Sequence, residues 1–287
     1  MPSAAPSPVL ITGCSSGIGR ATAEHLAAHG MTVYATARRI ESIAGLEAKG
    51  CRLLSLDVTD EASMVAAVSA VQEAHGAVGA LVNNAGYSQS GAIETVPIDD
   101  VRRQFETNVF GLMRLCQLVL PGMRSRHSGR IVNVSSMGGR FTFPGGGVYH
   151  ASKHAVESIS DALRFEVGGF GVQVVVIEPG IIRTNFDDAA VASMDAAAEG
   201  DPAYAQFNAS VAAATKSVYE EGPLARLGGD PEAVAKAIEK ALTASHPKTR
   251  YRVTPSAKVL IGTRRMLPDR GWDKLVVGGN FPQPGKS

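Results

Sequence analysis

Tyr149 and Lys153 are the residues of this chain whose types and spacing most directly suggest chemistry. They open the stretch "YHASKHAVESISDALRF" (149–165), whose pattern predicts a helix. Positions i and i+4 of a helix share a face, with Cβ atoms about 5–6 Å apart, so the phenol and the ammonium point into the same space. A free phenol, with a pKa of about 10, donates a proton readily near neutrality but regenerates slowly as a base. An ammonium within about 4–6 Å favours the phenolate, so Lys153 is expected to lower the Tyr149 pKa and make it usable near pH 7. Taken alone, the pair reads first as a solvated surface pair. The remaining motifs decide.

The elements that must position this pair alternate between short β-rich runs and longer amphipathic ones. "PVLIT", "TVYATA", "CRLLSLDV", "ALVNNAG", "RIVNVSS" and "VQVVVIEPG" read as apolar strands of the kind buried in parallel sheets, with helices such as residues 21–29 and 61–75 between them. This implies right-handed crossovers and an α/β fold, a Rossmann-like doubly wound parallel sheet of about seven strands with helices on both faces. Gly30, Gly50 and Gly76 each follow a helical pattern, where a left-handed residue closes the helix. The 287 residues are read as one domain with a floppy tail at 1–7. An Ala-rich segment at about 181–229, carrying Phe186, Tyr204, Phe207 and Tyr219, is read as a substrate-capping insertion, or else as a plain solvated helical pair.

Twenty-eight Lys and Arg against 27 Asp and Glu give no global charge that calls for nucleic acid or an anionic membrane, so the expected partner is a small molecule. The three cysteines are widely spread and lack C-x-x-C spacing, which fits a reducing, cytoplasmic compartment. The start, "MPSAAPSPVLITG", has neither a basic n-region nor an apolar run long enough for a signal peptide or membrane span. His25/His29 and His150/His154 stand at i,i+4 spacing, but no third ligand is evident and there is no H-E-x-x-H, so no metal is expected. A helix N-terminus beside Cys14 would lower its pKa and make it oxidisable, against the plainer reading of a small filler residue.

The first strand runs into "TGCSSGIGR" (12–20), where Gly13, Gly17 and Gly19 permit a tight turn, close approach of backbone N–H groups to a pyrophosphate, and close helix packing. Its place between a predicted strand and a predicted helix supports dinucleotide binding, although the spacing is G-x-x-x-G-x-G and not the commoner G-x-G-x-x-G. Folds that prefer NAD usually end the second strand with an acid about 20 residues after this loop. Here Ala37 holds that place, followed by Arg38 and Arg39. A guanidinium can grip a 2′-phosphate, so NADP(H) is expected over NAD(H), with Glu41 close enough to neutralise one arginine.

Seven motifs now stand in order: "TGCSSGIG" (12–19), "LDVTD" (56–60), "NNAG" (83–86), "TN" (107–108), "VNVSSMGG" (132–139), "YHASK" (149–153) and "EPGIIRT" (178–184). Over roughly residues 8–186 the chain resembles the short-chain dehydrogenase/reductase family in its single-domain form. The resemblance implies that Tyr149 is the general acid/base, Lys153 its partner and ribose contact, Ser136 a carbonyl-polarising hydroxyl thirteen residues before the tyrosine, and Asn108 the holder of a relay water near Lys153. It implies Asp57 against the adenine, Asn84 and Gly86 against the adenosine ribose, and Thr184 against the nicotinamide carboxamide. Further cofactor contacts are implied from Ser15, Ser16, Ile18, Val58, Ala85, Pro179, Gly180 and Ile182, with Arg38 as principal phosphate contact. Ser135 is read as structural, since strand residues alternate faces.

The expectation is therefore an NADP(H)-dependent oxidoreductase interconverting a carbonyl and a secondary alcohol. The alternatives are an NAD-dependent alcohol dehydrogenase, or a non-catalytic dinucleotide sensor on the same fold, which would have no need of Asn108, Ser136, Tyr149 and Lys153. "GRFTFPGGG" (139–147), "YSQSGAI" (87–93) and the insertion's aromatics would line an apolar cleft, and "SSMGGRFTFPGGGVYHASK" also looks like hydroxysteroid and retinol dehydrogenases, which hints at a bulky apolar substrate. The resemblance further makes the 149–165 helix, with its small face at Ala151, Ala155, Ser158 and Ala162, and a long helix at about 98–126 a subunit contact, so a homodimer or homotetramer is expected.

Overall fold

The structure, a computed structural model, describes residues 8–184, 202–220, 225–278 and 281. The expected tail at 1–7 and part of the expected insertion, residues 185–201 with Phe186 and residues 221–224, lie outside the described residues. Seven strands form one parallel sheet in the order β3-β2-β1-β4-β5-β6-β7. They are β1 (Val9–Ile11), β2 (Val33–Ala37), β3 (Arg52–Ser55), β4 (Ala80–Asn83), β5 (Gly129–Val134), β6 (Val172–Pro179) and β7 (Arg250–Val253). Six of them fall inside the apolar runs read from the sequence. β7 was not legible there, because "RYRV" has the composition of a surface strand.

Helices cover both faces, and β1 shows how the chain feeds them. Val9 and Ile11 point into one core with α1 (Gly17–Ala28), while Leu10 between them points into a second core with α2 (Glu61–His75). Gly30, Gly50 and Gly76 take φ of +80°, +89° and +79°, closing the segments before them in the left-handed conformation. α3 (Ile98–Phe105) and α4 (Gly111–Ser125) form one long rod, but the turn between them, Glu106–Phe110, is π-helical. Such a bulge shifts the faces of a helix locally and recurs at functional sites. It falls on Asn108.

α5 (Gly147–Gly168) is fixed to the sheet by a buried polar chain. Asn83 and Asn133 are register partners on β4 and β5, and Asn83 Nδ2 donates to Asn133 Oδ1 at 2.9 Å. Asn133 Nδ2 donates in turn to Ser160 Oγ of α5 at 2.9 Å. Buried amides without partners would each cost about 1–3 kcal/mol, so this chain selects one placement of α5 on the strands. Of the remaining helices, α6 (Pro202–Glu220) packs Phe207 and Val211 against Ala92, α7 (Pro231–Thr243) packs against α1, and α8 (Pro255–Met266) follows β7.

Candidate active site

The strands' C-terminal ends open onto one cleft of about 1110 Å³, larger than the roughly 300–1,000 Å³ of ordinary small-molecule sites. It lies where the sheet order reverses, with β2 on one side of β1 and β4 on the other. Ser16 is the N-cap of α1 and makes no side-chain capping bond, so the first-turn N–H groups of α1 are left for an anion in the cleft. A Cβ at Gly19 would sit 2.2 Å from the Gly13 carbonyl oxygen, and one at Gly13, where φ is +72°, would sit 2.8 Å from the Ala85 Cα. Only glycines let loop, helix and β4 meet this closely. Asn84 ties them together, its Nδ2 donating to the Thr12 and Gly13 carbonyls at 3.0 and 3.1 Å. These features form the glycine-lined cradle that a dinucleotide pyrophosphate requires.

All of the residues expected on the cofactor side line the cleft except Gly19 and Arg39. Gly19 lies behind the loop. Arg39 is exposed at the head of the 3₁₀ turn Ile40–Lys49, whereas Arg38 lines the cleft, because successive residues leaving a strand point to opposite sides. Asp57 lines it too, with its Oδ1 accepting from Thr59 N and Thr59 Oγ1 at 2.9 and 2.8 Å.

On the other side, the chain brings Ser136, Tyr149 and Lys153 together. Ser136 follows β5 and its hydroxyl hydrogen-bonds the Tyr149 phenol, which pulls the phenol's pKa down, while Ser136 Oγ also accepts from Gly138 N at 3.0 Å. Lys153 Nζ donates to the Val134 carbonyl at 2.9 Å and lies 5.8 Å from the Tyr149 ring centroid. Asn108 sits behind the cleft wall, its Nδ2 donating to Tyr87 O at 3.0 Å and Ser152 Oγ at 3.1 Å. The expected lowering of the Tyr149 pKa is corrected here. Burial pushes it up, to about 12, and this outweighs the Ser136 contribution. Lys153 is spent on a backbone carbonyl and is itself pushed down to about 8 by burial, against an opposing pull from the Glu157 charge. The phenol is thus set as a proton donor.

The family described as short chain dehydrogenase matches residues 7–195. The chain belongs to the short-chain dehydrogenase/reductase family. It is 37% identical over 265 residues to a 3-ketodihydrosphingosine reductase from Bacteroides thetaiotaomicron, covering 92% of this chain and 94% of that one. It is 36% identical over 275 residues to an NADPH-dependent 3-dehydrocapnine reductase from Ornithobacterium rhinotracheale, covering 93% and 94%. Among solved structures it matches a short-chain dehydrogenase from Streptomyces avermitilis with a TM-score of 0.76 at 36% identity, covering 93% and 96%. It also matches a family member from Burkholderia phymatum in complex with NAD, with a TM-score of 0.77 at 26% identity, covering 96% of each chain. As a short-chain dehydrogenase/reductase, the chain is an oxidoreductase of carbonyl and alcohol groups that uses a nucleotide cofactor.

Further residues shape the site of this short-chain dehydrogenase/reductase, Phe143 from the stretch expected to line an apolar cleft and others not legible beforehand. Gln104, fully buried and one turn before Asn108, accepts from Gln89 N at 2.5 Å and donates to Tyr87 O at 2.7 Å, anchoring the 87–89 loop. Its i,i+4 spacing to Asn108 was the available signal. Beyond Tyr149 the cleft becomes aromatic: Phe143 stacks on Trp272 at 5.9 Å and meets Phe281 at 6.1 Å. Val211 and Ala214 of α6 and Leu260 of α8 complete this arm.

The plainer reading of Cys14 holds, and the reading of one histidine pair changes. Cys14 is fully buried, and burial raises its pKa to about 12, so it is filler and not an oxidisable thiol. The His25/His29 pair does gain a third donor, Glu239 of α7. Glu232 and Glu239 flank His25 at 2.7 and 2.9 Å, a polar staple between α1 and α7. Among the described residues, no helix is long and apolar enough to cross a membrane.

Proposed function

We propose that this chain is an NADP(H)-dependent oxidoreductase that interconverts a ketone and a secondary alcohol on a bulky, apolar substrate. The carrying observation is that Ser136, Tyr149 and Lys153 meet at the junction of the glycine-lined arm and the aromatic arm of one cleft. When bound, the nicotinamide cofactor supplies or takes up the hydride. Ser15, Ser16, Gly17 and Ile18 would hold its pyrophosphate at the start of α1, Asp57, Val58 and Asn84 to Gly86 its adenosine, and Pro179, Gly180, Ile182 and Thr184 its carboxamide side.

Ser136 donates to the substrate oxygen as negative charge grows there, and Tyr149, protonated at neutral pH, delivers the proton to it. Lys153 positions the nicotinamide ribose and returns a proton toward Tyr149. A Cβ at Gly86 would sit 3.0 Å from Asn108 Oδ1 and 3.7 Å from Lys153 Nζ, so glycine keeps open the space where Asn108 would hold a relay water. The raised Tyr149 pKa keeps the phenol in its protonated form, the form that donates during reduction.

NADP(H) preference rests on Ala37, which offers no carboxylate at the end of β2, and on Arg38, which is exposed and unpaired among the described residues. The NADPH-dependent relative agrees with it, while the NAD complex of the Burkholderia protein makes the titration necessary. The ketone reductase among the relatives and the Phe143–Trp272 wall support a bulky ketone. We read the chain as one domain, capped by α6 and placed in the cytoplasm, where three buried free thiols are stable. Phe165, 92% exposed on α5, and the exposed small residues Ala151, Ser158 and Ala162 of that helix support a homodimer or homotetramer. The deciding experiment titrates NADPH and NADH into wild type and Arg38→Ala and screens NADPH oxidation against a panel of ketones. The substitution should cost about 1.5–3 kcal/mol in NADPH binding and leave NADH unchanged. Equal wild-type affinities would overturn the cofactor assignment.

A further inference from the structure

Behind the catalytic residues lies a buried ionic cluster that the reaction described above does not use. Glu157 stands one turn after Lys153 on α5 and Glu178 is the penultimate residue of β6, just before Pro179 and Gly180; they are 4% and 0% exposed. Carboxylates are almost never this buried unless paired, and here three arginines from two other segments supply the pairing. Arg250 Nε of β7 lies 3.0 Å from Glu157 Oε2 and 3.3 Å from Glu178 Oε1. Arg252 Nε, also on β7, lies 3.2 Å from Glu178 Oε2. Arg140, on the loop that leaves Ser136, reaches both acids at 3.6 and 3.8 Å. Asp161 holds the far side of Arg250 at 2.6 Å. The cluster therefore joins the four segments that carry or adjoin Ser136, Tyr149, Lys153 and Gly180.

Glu157 is the member that faces the chemistry. Its Oε2 takes the arginines, and the buried Ser135 hydroxyl lies beside the same carboxylate. A Cβ at Gly139 would meet Glu157 Cγ and the Lys153 carbonyl at 3.0 Å each, so this turn packs directly onto the Lys153 backbone. Burial pushes the Glu157 carboxyl above the ordinary range, and Ser135 and Arg250 pull it back. Its charge in turn pulls the Lys153 pKa up against the burial that depresses it.

We propose that Glu157 is a positioning residue of this site, which sets a carboxylate one turn from the Lys153 side chain and, through Arg250 and Arg140, locks the catalytic turn of α5 to the loop that carries Ser136. The inference rests on the reading of Lys153 given above. The charged and titratable groups around Lys153 are Tyr149 and Glu157 on its own helix, Arg140 on the β5 loop, Glu178 on β6, and Arg250 and Arg252 on β7. Removing the Glu157 charge takes away the attraction and leaves the burial.

The test is competitive labelling with acetic anhydride across pH, read by mass spectrometry on the peptide containing Lys153, which lines the open cleft. In wild type Lys153 should titrate near 8. In Glu157→Gln it should titrate lower by about one pH unit or more, the usual worth of one opposite charge at close range. Glu157→Asp, which keeps the charge, should restore most of the wild-type value. Glu157→Met gives the same expectation as the glutamine variant and replaces it if that protein does not fold. An unchanged Lys153 titration in the charge-deleted protein, or equal shifts in the Gln and Asp variants, would overturn the inference. Failure of wild type to reduce any ketone would strike the proposed function alone, since labelling reads Lys153 without turnover.

Discussion

His150, the neighbour of the general acid/base, makes a measurable acid-stability prediction. Its ring packs so tightly between two glycines that a Cβ at Gly138 would lie 2.4 Å from Cδ2 and one at Gly146 2.6 Å from Cε1. Its Nδ1 accepts from Phe143 N at 3.3 Å, which requires an unprotonated nitrogen. Burial, with the nearby His154 charge adding to it, drives the pKa from 6.5 down to about 4. A base depressed in this way is neutral in the folded chain, so its stabilising contribution is complete above pH 6.5 and lost as pH falls toward 4. Two and a half units at about 1.4 kcal/mol each give an upper bound between about 3 and 4 kcal/mol, and partial exposure of the ring reduces the expectation to about 1–2 kcal/mol. The perturbation is His150→Gln, whose amide oxygen can still accept from Phe143 N. Urea unfolding of both proteins at pH 7 and pH 4.5 should show wild type losing about 1–2 kcal/mol more than the variant on acidification. Groups common to the two proteins cancel in that difference. Equal losses would refute the assignment of a neutral, buried His150.

Tyr149→Phe should keep NADPH binding, because the ring still packs, while steady-state ketone reduction falls by about 10² or more; near-native turnover would remove Tyr149 from its role. Gly19→Ala places a methyl 2.2 Å from the Gly13 carbonyl and 2.5 Å from Asn84 Nδ2. It should lower stability by about 1–3 kcal/mol in urea melts and weaken dinucleotide binding by fluorescence titration, since helix and loop must separate. Light scattering at micromolar concentration should give a dimer or tetramer mass, and Phe165→Glu should shift it toward the 29.9 kDa monomer; a monomeric wild type would remove α5 as a subunit contact.

The chain alone determined whatever depends on near neighbours. Continuous apolar runs fixed strands β1 to β6, glycines after amphipathic runs fixed their left-handed closures, and the 3.6-residue period put Tyr149 and Lys153 on one face of a helix. The glycine spacing of residues 13–19 predicted a loop whose tight packing the fold requires. Tertiary structure alone decided burial and long-range pairing. β7 is a strand because Arg250 and Arg252 neutralise acids from α5 and β6 that lie 72 to 93 positions away, a reason invisible in "RYRV". Phe281 reaches the cleft, and Trp272 backs its Phe143 wall, from a segment with no local mark of function. The Tyr149 pKa moves up instead of down for the same reason: spacing shows that a lysine is near. Only the packed fold shows that Lys153 bonds to a carbonyl and that burial raises the phenol's pKa.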